Sequence, residues 1–119
     1  MRAFEYASPT STKQALSLLG AASGGALVLA GGTDLLALMK DDIVHPKRLV
    51  NVKDVQELRG LSFTPLRGLR IGSLMTLFEI SEDAQVKEHY PMLAQAAGDA
   101  ASPQIRNVAT IGGNMCQRP

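Results

Sequence analysis

The sequence predicts a mixed helix-and-strand protein built as two small lobes. Three observations carry this. Short apolar segments of helical and strand type alternate along the chain. The pattern breaks close to Gly60, which places one lobe over residues 1–58 and the other over 59–119. A strand followed by Gly-Gly occurs once in each half. The 119 residues suffice for one modest domain or two such lobes.

The elements follow in order. Ser11 and Gln14 have the spacing of a capping box, and Ala15, Leu16, Leu18 and Leu19 follow as a helix that Gly20 can close. A Gly-Ser-Ala linker leads into Ala26-Leu27-Val28-Leu29-Ala30, a continuous apolar run bounded by glycines, which predicts a buried strand. Gly31-Gly32 turns the chain, and Thr33 is placed to cap a short helix from Asp34 to Lys40. His45-Pro46 breaks the pattern. Leu49 to Val52 predicts a second strand, and Val55 to Leu58 a helical turn ending at Gly60.

In the second half, Leu69 to Ser73 alternates as a strand after the Arg67-Gly68 turn. Thr76 and Glu79 form another capping box, with Met75 and Ile80 as its hydrophobic staple. Pro91 opens a helix to Ala101 whose apolar face is Met92, Leu93, Ala96 and Ala97. Val108 to Ile111 is expected as a last strand, turned by Gly112-Gly113-Asn114.

Composition narrows the function. Twelve basic and eleven acidic residues nearly cancel, there is no Trp, and there are only three Phe and two Tyr. Neither a basic run nor a stacking ladder for bases is present, so nucleic acid is not the expected partner. The apolar runs are too short to span a bilayer, and no secretory signal opens the chain. The expected location is cytoplasmic. Cys116, the single cysteine, has no internal disulfide partner. His45 and His89 lack companions at metal-ligand spacing and read as surface residues. Asp34 reads as a first-turn helix residue and Asp54 as a turn residue. Arg106 reads either as an anchor for the loop between Ala101 and Asn107 or as a solvated side chain. No nucleophile–base pair is evident, so no catalytic or metal-binding residue is expected. That is compatible with a protein holding a redox cofactor whose chemistry is its own.

Two segments point to such a cofactor. In Leu29-Ala30-Gly31-Gly32-Thr33-Asp34-Leu35, a strand ending in glycines and opening a helix gathers backbone N–H groups in one concave turn, where a phosphate oxygen can approach closely. The motif is neither G-x-G-x-x-G nor a P-loop, and alone it reads more readily as an ordinary strand–turn–helix connection with a Thr cap and no ligand. Ala109-Thr110-Ile111-Gly112-Gly113-Asn114 repeats the pattern, and alone is ordinary turn chemistry. As a pair, facing each other, the two turns would clasp a diphosphate with neutral N–H donors and no Lys or Arg.

The chain resembles the FAD-binding, or medium, subunit of the molybdenum hydroxylase family, which includes the xanthine dehydrogenase and carbon monoxide dehydrogenase medium subunits. The resemblance is carried by the opening Phe4-Glu5-Tyr6-Ala7-Ser8-Pro9-Thr10-Ser11, by Leu29 to Leu36, and above all by Ser102-Pro103-Gln104-Ile105-Arg106-Asn107-Val108-Ala109-Thr110-Ile111-Gly112-Gly113-Asn114. It implies an α+β fold of two small lobes that sandwich the FAD diphosphate, of the type also seen in vanillyl-alcohol-oxidase-like flavoproteins, with the second lobe incomplete.

The implied cofactor-binding residues are Val28, Leu29, Ala30, Gly31, Gly32, Thr33, Asp34 and Leu35 from the first turn. The second turn adds Thr110, Ile111, Gly112, Gly113 and Asn114. The implied function is electron transfer from iron–sulfur centres to an external acceptor, as an oxidoreductase subunit beside a molybdenum-cofactor subunit and a two-iron iron–sulfur subunit. The family's subunits are more than twice this length, so the chain reads as a fragment, inactive by itself. Cys116 to Pro119 looks like the start of a stretch that binds a four-iron cluster in one branch of the family, a cluster that Cys116 alone cannot form. The alternatives are another FAD-dependent oxidoreductase of the same broad fold, or a non-catalytic fragment that folds or self-associates without flavin.

Overall fold

The computed structural model describes residues 1–118, so Pro119, the end of the stretch begun by Cys116, lies outside the described residues. The chain divides into two compact units, Met1–Leu58 and Arg59–Pro119.

The first unit holds three strands, β1 (Glu5–Ala7), β2 (Ala26–Leu29) and β3 (Arg48–Asn51), in the order β1-β3-β2. Both pairings are parallel: Tyr6 lies opposite Leu49, and Leu27 lies opposite the other side of Leu49. Parallel neighbours need crossover connections, and helix α1 (Thr12–Gly20) and helix α2 (Leu35–Lys40) occupy them. The last strand in sequence is thus the central one, and Leu49, Val50 and Asn51 are all buried.

Leu29, Met39 and Leu49 form the core, with Phe4, Leu27 and Leu35 packed against them. The run Ala26–Ala30, expected as a buried strand, forms an edge strand instead: Leu29 is buried, but Val28 is 48% exposed. An unbroken apolar run signals a strand without revealing how many neighbours it has. The strand β1 has no counterpart in the sequence reading.

Ser11 caps α1 by accepting from the Gln14 N–H at 3.2 Å, while the Gln14 side chain reaches back one residue further than a capping box, to the Thr10 N–H. Gly20 is the last helical residue rather than the residue beyond the helix, and Ala21 ends it in right-handed geometry. The Arg48 guanidinium donates to the Glu5 carboxylate at 2.6 Å and to the Leu18 carbonyl at 2.9 Å, tying α1 to the sheet. After β3, residues Gln56–Leu58 make a 3-10 turn.

The second unit opens with an antiparallel hairpin, β4 (Leu61–Thr64) and β5 (Gly68–Ile71), joined through Gly68 at φ +75°. Five helices follow: α3 (Leu77–Glu82), α4 (Ala84–His89), α5 (Pro91–Asp99), α6 (Pro103–Arg106) and α7 (Ile111–Met115). Leu77, Ile80, Val86, Ala94 and Ala97 form the core. The Thr76/Glu79 box is complete, with Thr76 N–H donating to Glu79 Oε2 at 2.8 Å and Glu79 N–H to Thr76 Oγ1 at 3.1 Å. Met75 packs against the cluster containing Ile80, as its place in the staple requires.

Two expectations are corrected here. The buried face of α5 is Ala94 and Ala97, with Leu93 half-buried, whereas Met92 is 84% exposed. Small residues face α3, so the helices pack closely, and the larger Met92 points away. The expected strand Val108–Ile111 reduces to one bridge between Thr110 and Thr76, and Ile111 begins helix α7.

Candidate functional site

In the first unit the last ladder bond of β2 is that from Val52 N–H to the Leu29 carbonyl, at 3.0 Å. The chain then leaves the sheet. Gly32 lies at φ +75°, a left-handed conformation natural to glycine, and its carbonyl accepts from Leu36 N–H at 3.1 Å. The Asp34 carbonyl accepts from Leu38 N–H at 3.2 Å. The capping residue of α2 is therefore Asp34 rather than Thr33, and its side chain makes no capping bond. Among the described residues, the N–H groups of Gly31, Gly32 and Thr33 donate to no protein acceptor. The side chains of Leu29 and Leu35 belong to the core, so these two residues offer a ligand only backbone. Val28, Thr33 and Asp34 are exposed, and Ala30 and Gly31 are half-buried.

The second turn is built differently. Thr110 is 7% exposed and caps α7, its Oγ1 accepting from Gly113 N–H at 3.2 Å. Ile111 N–H donates to the Met75 carbonyl and Gly112 N–H to the Ser73 carbonyl, each at 2.9 Å. Asn114 N–H returns to the Thr110 carbonyl at 3.0 Å. The amides expected to face a diphosphate are thus already bonded inside the unit. Gly112 is a glycine for packing reasons, since a Cβ there would lie 2.8 Å from Ser73 Cβ and 2.9 Å from Ser73 O. What this turn presents outward is the exposed Asn114 side chain.

Sequence reading missed three residues at the first turn. Lys53 Nζ donates to the Ala30 carbonyl at 3.2 Å. Its own N–H donates to Asn51 Oδ1 at 3.1 Å, and Asn51 Nδ2 donates to Ser8 Oγ at 2.9 Å. The available signal was topological: parallel strands all end at one edge, so the residues following β1, β2 and β3 collect there. Arg106 proves to be a loop anchor. Its Nη1 donates to the carbonyls of Ala100 and Ala101, at 2.8 and 2.9 Å, beside Ala101 at φ +48°.

The remaining chemistry-bearing side chains gather no site. His45 pairs with Asp42 at 3.3 Å, and His89 stacks on Phe63 with ring centroids 3.8 Å apart. Cys116 is free and exposed. Among the described residues no cluster of His, Cys, Asp and Glu could hold a metal, and no helix is long and apolar enough to cross a membrane. A shallow cleft of about 460 Å³ between α3, α5 and α6 includes Phe78, Lys87, Asp99 and Arg106 but neither glycine turn.

FAD fits the first turn on this structure's own evidence: three adjacent amides without protein acceptors, and a left-handed glycine that keeps the backbone approachable. Comparison with known proteins gives the family. The family model described as "FAD binding domain in molybdopterin dehydrogenase" matches residues 2–119.

The chain is 43% identical over 91 residues to the xanthine dehydrogenase FAD-binding subunit of Escherichia coli O157:H7, covering 76% of this chain and 31% of that protein. It is 37% identical over 112 residues to the carbon monoxide dehydrogenase medium chain of Hydrogenophaga pseudoflava, covering 94% of this chain and 39% of that one. Among solved structures, the Hydrogenophaga pseudoflava carbon monoxide dehydrogenase lacking the Mo-pyranopterin moiety of its cofactor matches with a TM-score of 0.90 at 36% identity, over 96% of this chain and 39% of that chain. The reconstituted enzyme from Oligotropha carboxidovorans matches with a TM-score of 0.91 at 31% identity, over 95% and 39%. The chain thus spans between about a third and two fifths of the relatives it matches. A mixed fold with parallel strands leading into an open glycine turn, and a family match over nearly every residue, lead to one conclusion: this chain belongs to the FAD-binding domain family of the molybdopterin dehydrogenases.

Proposed function

We propose that this chain binds FAD as part of the electron-transfer subunit of a molybdenum-containing hydroxylase or dehydrogenase. It would work beside a molybdenum-cofactor subunit and a two-iron iron–sulfur subunit. The observation that carries this reading is the turn Ala30–Asp34, whose amides at Gly31, Gly32 and Thr33 lack protein acceptors, in a chain matched by the family along residues 2–119.

These amides would hold phosphate oxygens, and Gly32, at φ +75°, would keep the turn in the left-handed conformation that presents them. Val28 and Asp34 flank the turn on its exposed side. Within the second unit, the groups we propose for cofactor binding are the exposed Asn114 side chain and the Thr110 hydroxyl, whose Oγ1 already accepts from Gly113. FAD, once bound, takes up electrons and passes them on, and the chain's own part is to bind and orient it.

The test is direct titration. The purified chain, incubated with excess FAD and desalted, is expected to retain a flavin absorption spectrum and to quench flavin fluorescence in a saturable way. A colourless chain with no saturable quenching would instead mark a fold that has kept the family's shape without its cofactor.

A further inference from the structure

We propose that Ser8 is a ligand-binding residue of the FAD site, its hydroxyl hydrogen directed outward by Asn51 to an oxygen of the sugar groups that flank the diphosphate. This inference rests on the FAD reading above and adds to it a residue that neither glycine motif contains.

Strands β1, β2 and β3 run parallel and end at Ala7, Leu29 and Asn51, so the segments that follow them share one edge of the sheet. The carboxyl edge of a parallel sheet is where such folds place ligands. Ser8 is the first residue after β1, and it is exposed. The Gly31-Gly32 turn follows β2. The central strand β3 separates the two, so they stand two strand spacings apart, roughly 9–10 Å. A ligand held at the turn reaches Ser8 only with the groups beyond its diphosphate, which in FAD are the ribityl and ribose hydroxyls.

The direction of the hydroxyl follows from a chain of bonds. The Lys53 backbone N–H donates to one end of the Asn51 amide at 3.1 Å, which makes that end the oxygen, Oδ1. The other end is then Nδ2, which can only donate, and it lies 2.9 Å from Ser8 Oγ. Ser8 Oγ accepts this bond, so its own hydrogen is left to donate elsewhere. Asn51 is 5% exposed, and leaving its Nδ2 without an acceptor would carry a desolvation cost. Among the described residues the Ser8 hydroxyl donates to no protein acceptor. A buried amide thus sets the polarity of an exposed hydroxyl, at the same edge as three backbone amides without protein acceptors.

The experiment is an FAD titration of the 119-residue chain by fluorescence quenching. The variants are Ser8→Ala, Ser8→Thr, Asn51→Asp and the double variant of Ser8→Ala with Asn51→Asp, all read beside wild type in high salt, which screens the added charge. In Asn51→Asp the side chain still accepts from the Lys53 N–H, but a carboxylate cannot donate, so the Ser8 hydrogen turns inward to it. The expected result is a roughly fivefold weaker Kd for Ser8→Ala, the loss of one neutral hydrogen bond. Ser8→Thr, which keeps the hydroxyl, should stay within about twofold of wild type. Asn51→Asp should weaken FAD by a similar factor to Ser8→Ala, and adding Ser8→Ala to it should change Kd by less than about twofold. Wild-type affinity in Ser8→Ala would overturn the assignment while leaving the FAD reading intact. Ser8→Thr as weak as Ser8→Ala would also overturn it, because the loss would then lie in local packing. So would an equal Ser8→Ala loss in both backgrounds, because the direction of the hydroxyl would then not matter. If Asn51→Asp fails to fold, the Ser8→Ala and Ser8→Thr pair decides alone. Absence of FAD binding by the wild type would overturn the underlying reading itself.

Discussion

A methyl group on Gly112 would sit 2.8 Å from Ser73 Cβ and 2.9 Å from its carbonyl oxygen, whereas one on Gly32 would meet the Leu36 side chain, 2.9 Å from Cδ1. The two glycines therefore fail differently when replaced. Gly112→Ala presses on backbone that already receives the Gly112 N–H, and it should destabilise the second unit by about 1–3 kcal/mol, read from urea denaturation. Gly32→Ala meets a half-exposed leucine that can rotate away, and the main cost is a left-handed alanine, roughly 1 kcal/mol. Its larger effect is expected on FAD affinity, because an alanine that leaves the left-handed region would turn the amides of Gly31, Gly32 and Thr33 away from the direction in which they would hold phosphate. If Gly112→Ala left stability unchanged while Gly32→Ala left FAD affinity unchanged, the roles assigned to the two turns would be wrong. The glycines themselves were legible in the sequence. That one pair is open and the other already bonded was not, because the acceptor for Gly112, the Ser73 carbonyl, comes from a segment nearly forty residues away and no local pattern announces it.

Helix starts were the most legible elements, because a cap is local chemistry. The Thr76/Glu79 box, the Ser11 cap and Pro91 at the head of α5 lie where the sequence puts them. Thr76→Ala should remove one half of the box and cost about 1 kcal/mol, seen as a lower midpoint in thermal or urea unfolding. An unchanged midpoint would mean that the α3–α5 packing alone fixes that end of the helix. The misread element is the segment Val108–Ile111. Valine, threonine and isoleucine favour strands, and two glycines usually interrupt a helix. Here tertiary bonds decide otherwise: Thr110 spans a single bridge and then caps α7. The strands β1 and β4 carry too few residues for any periodicity to show, and only their partners in space define them, whereas the equally unread α4 and α6 are capped locally by Asp83 and Ser102.

For the molecule as a whole, the family assignment was legible because Ser102–Asn114 and Leu29–Leu36 are continuous motifs, whereas the parallel order β1-β3-β2 depends on crossovers that no single segment encodes. If FAD binds the folded chain alone, ligand at a hundred times its Kd should add about 2.7 kcal/mol to the unfolding free energy and raise Tm accordingly. A melting curve indifferent to FAD would contradict that linkage. The sheet order has a kinetic corollary. β1 and β2 pair only with β3, the last of the three to leave the ribosome, so Glu5 must wait for Arg48 before its strand has any neighbour. During synthesis the two earlier strands are unpaired, and a chain released before residue 48 would lack the strand with which both of them pair. The β4–β5 hairpin, by contrast, closes over a few residues and can form as soon as it emerges.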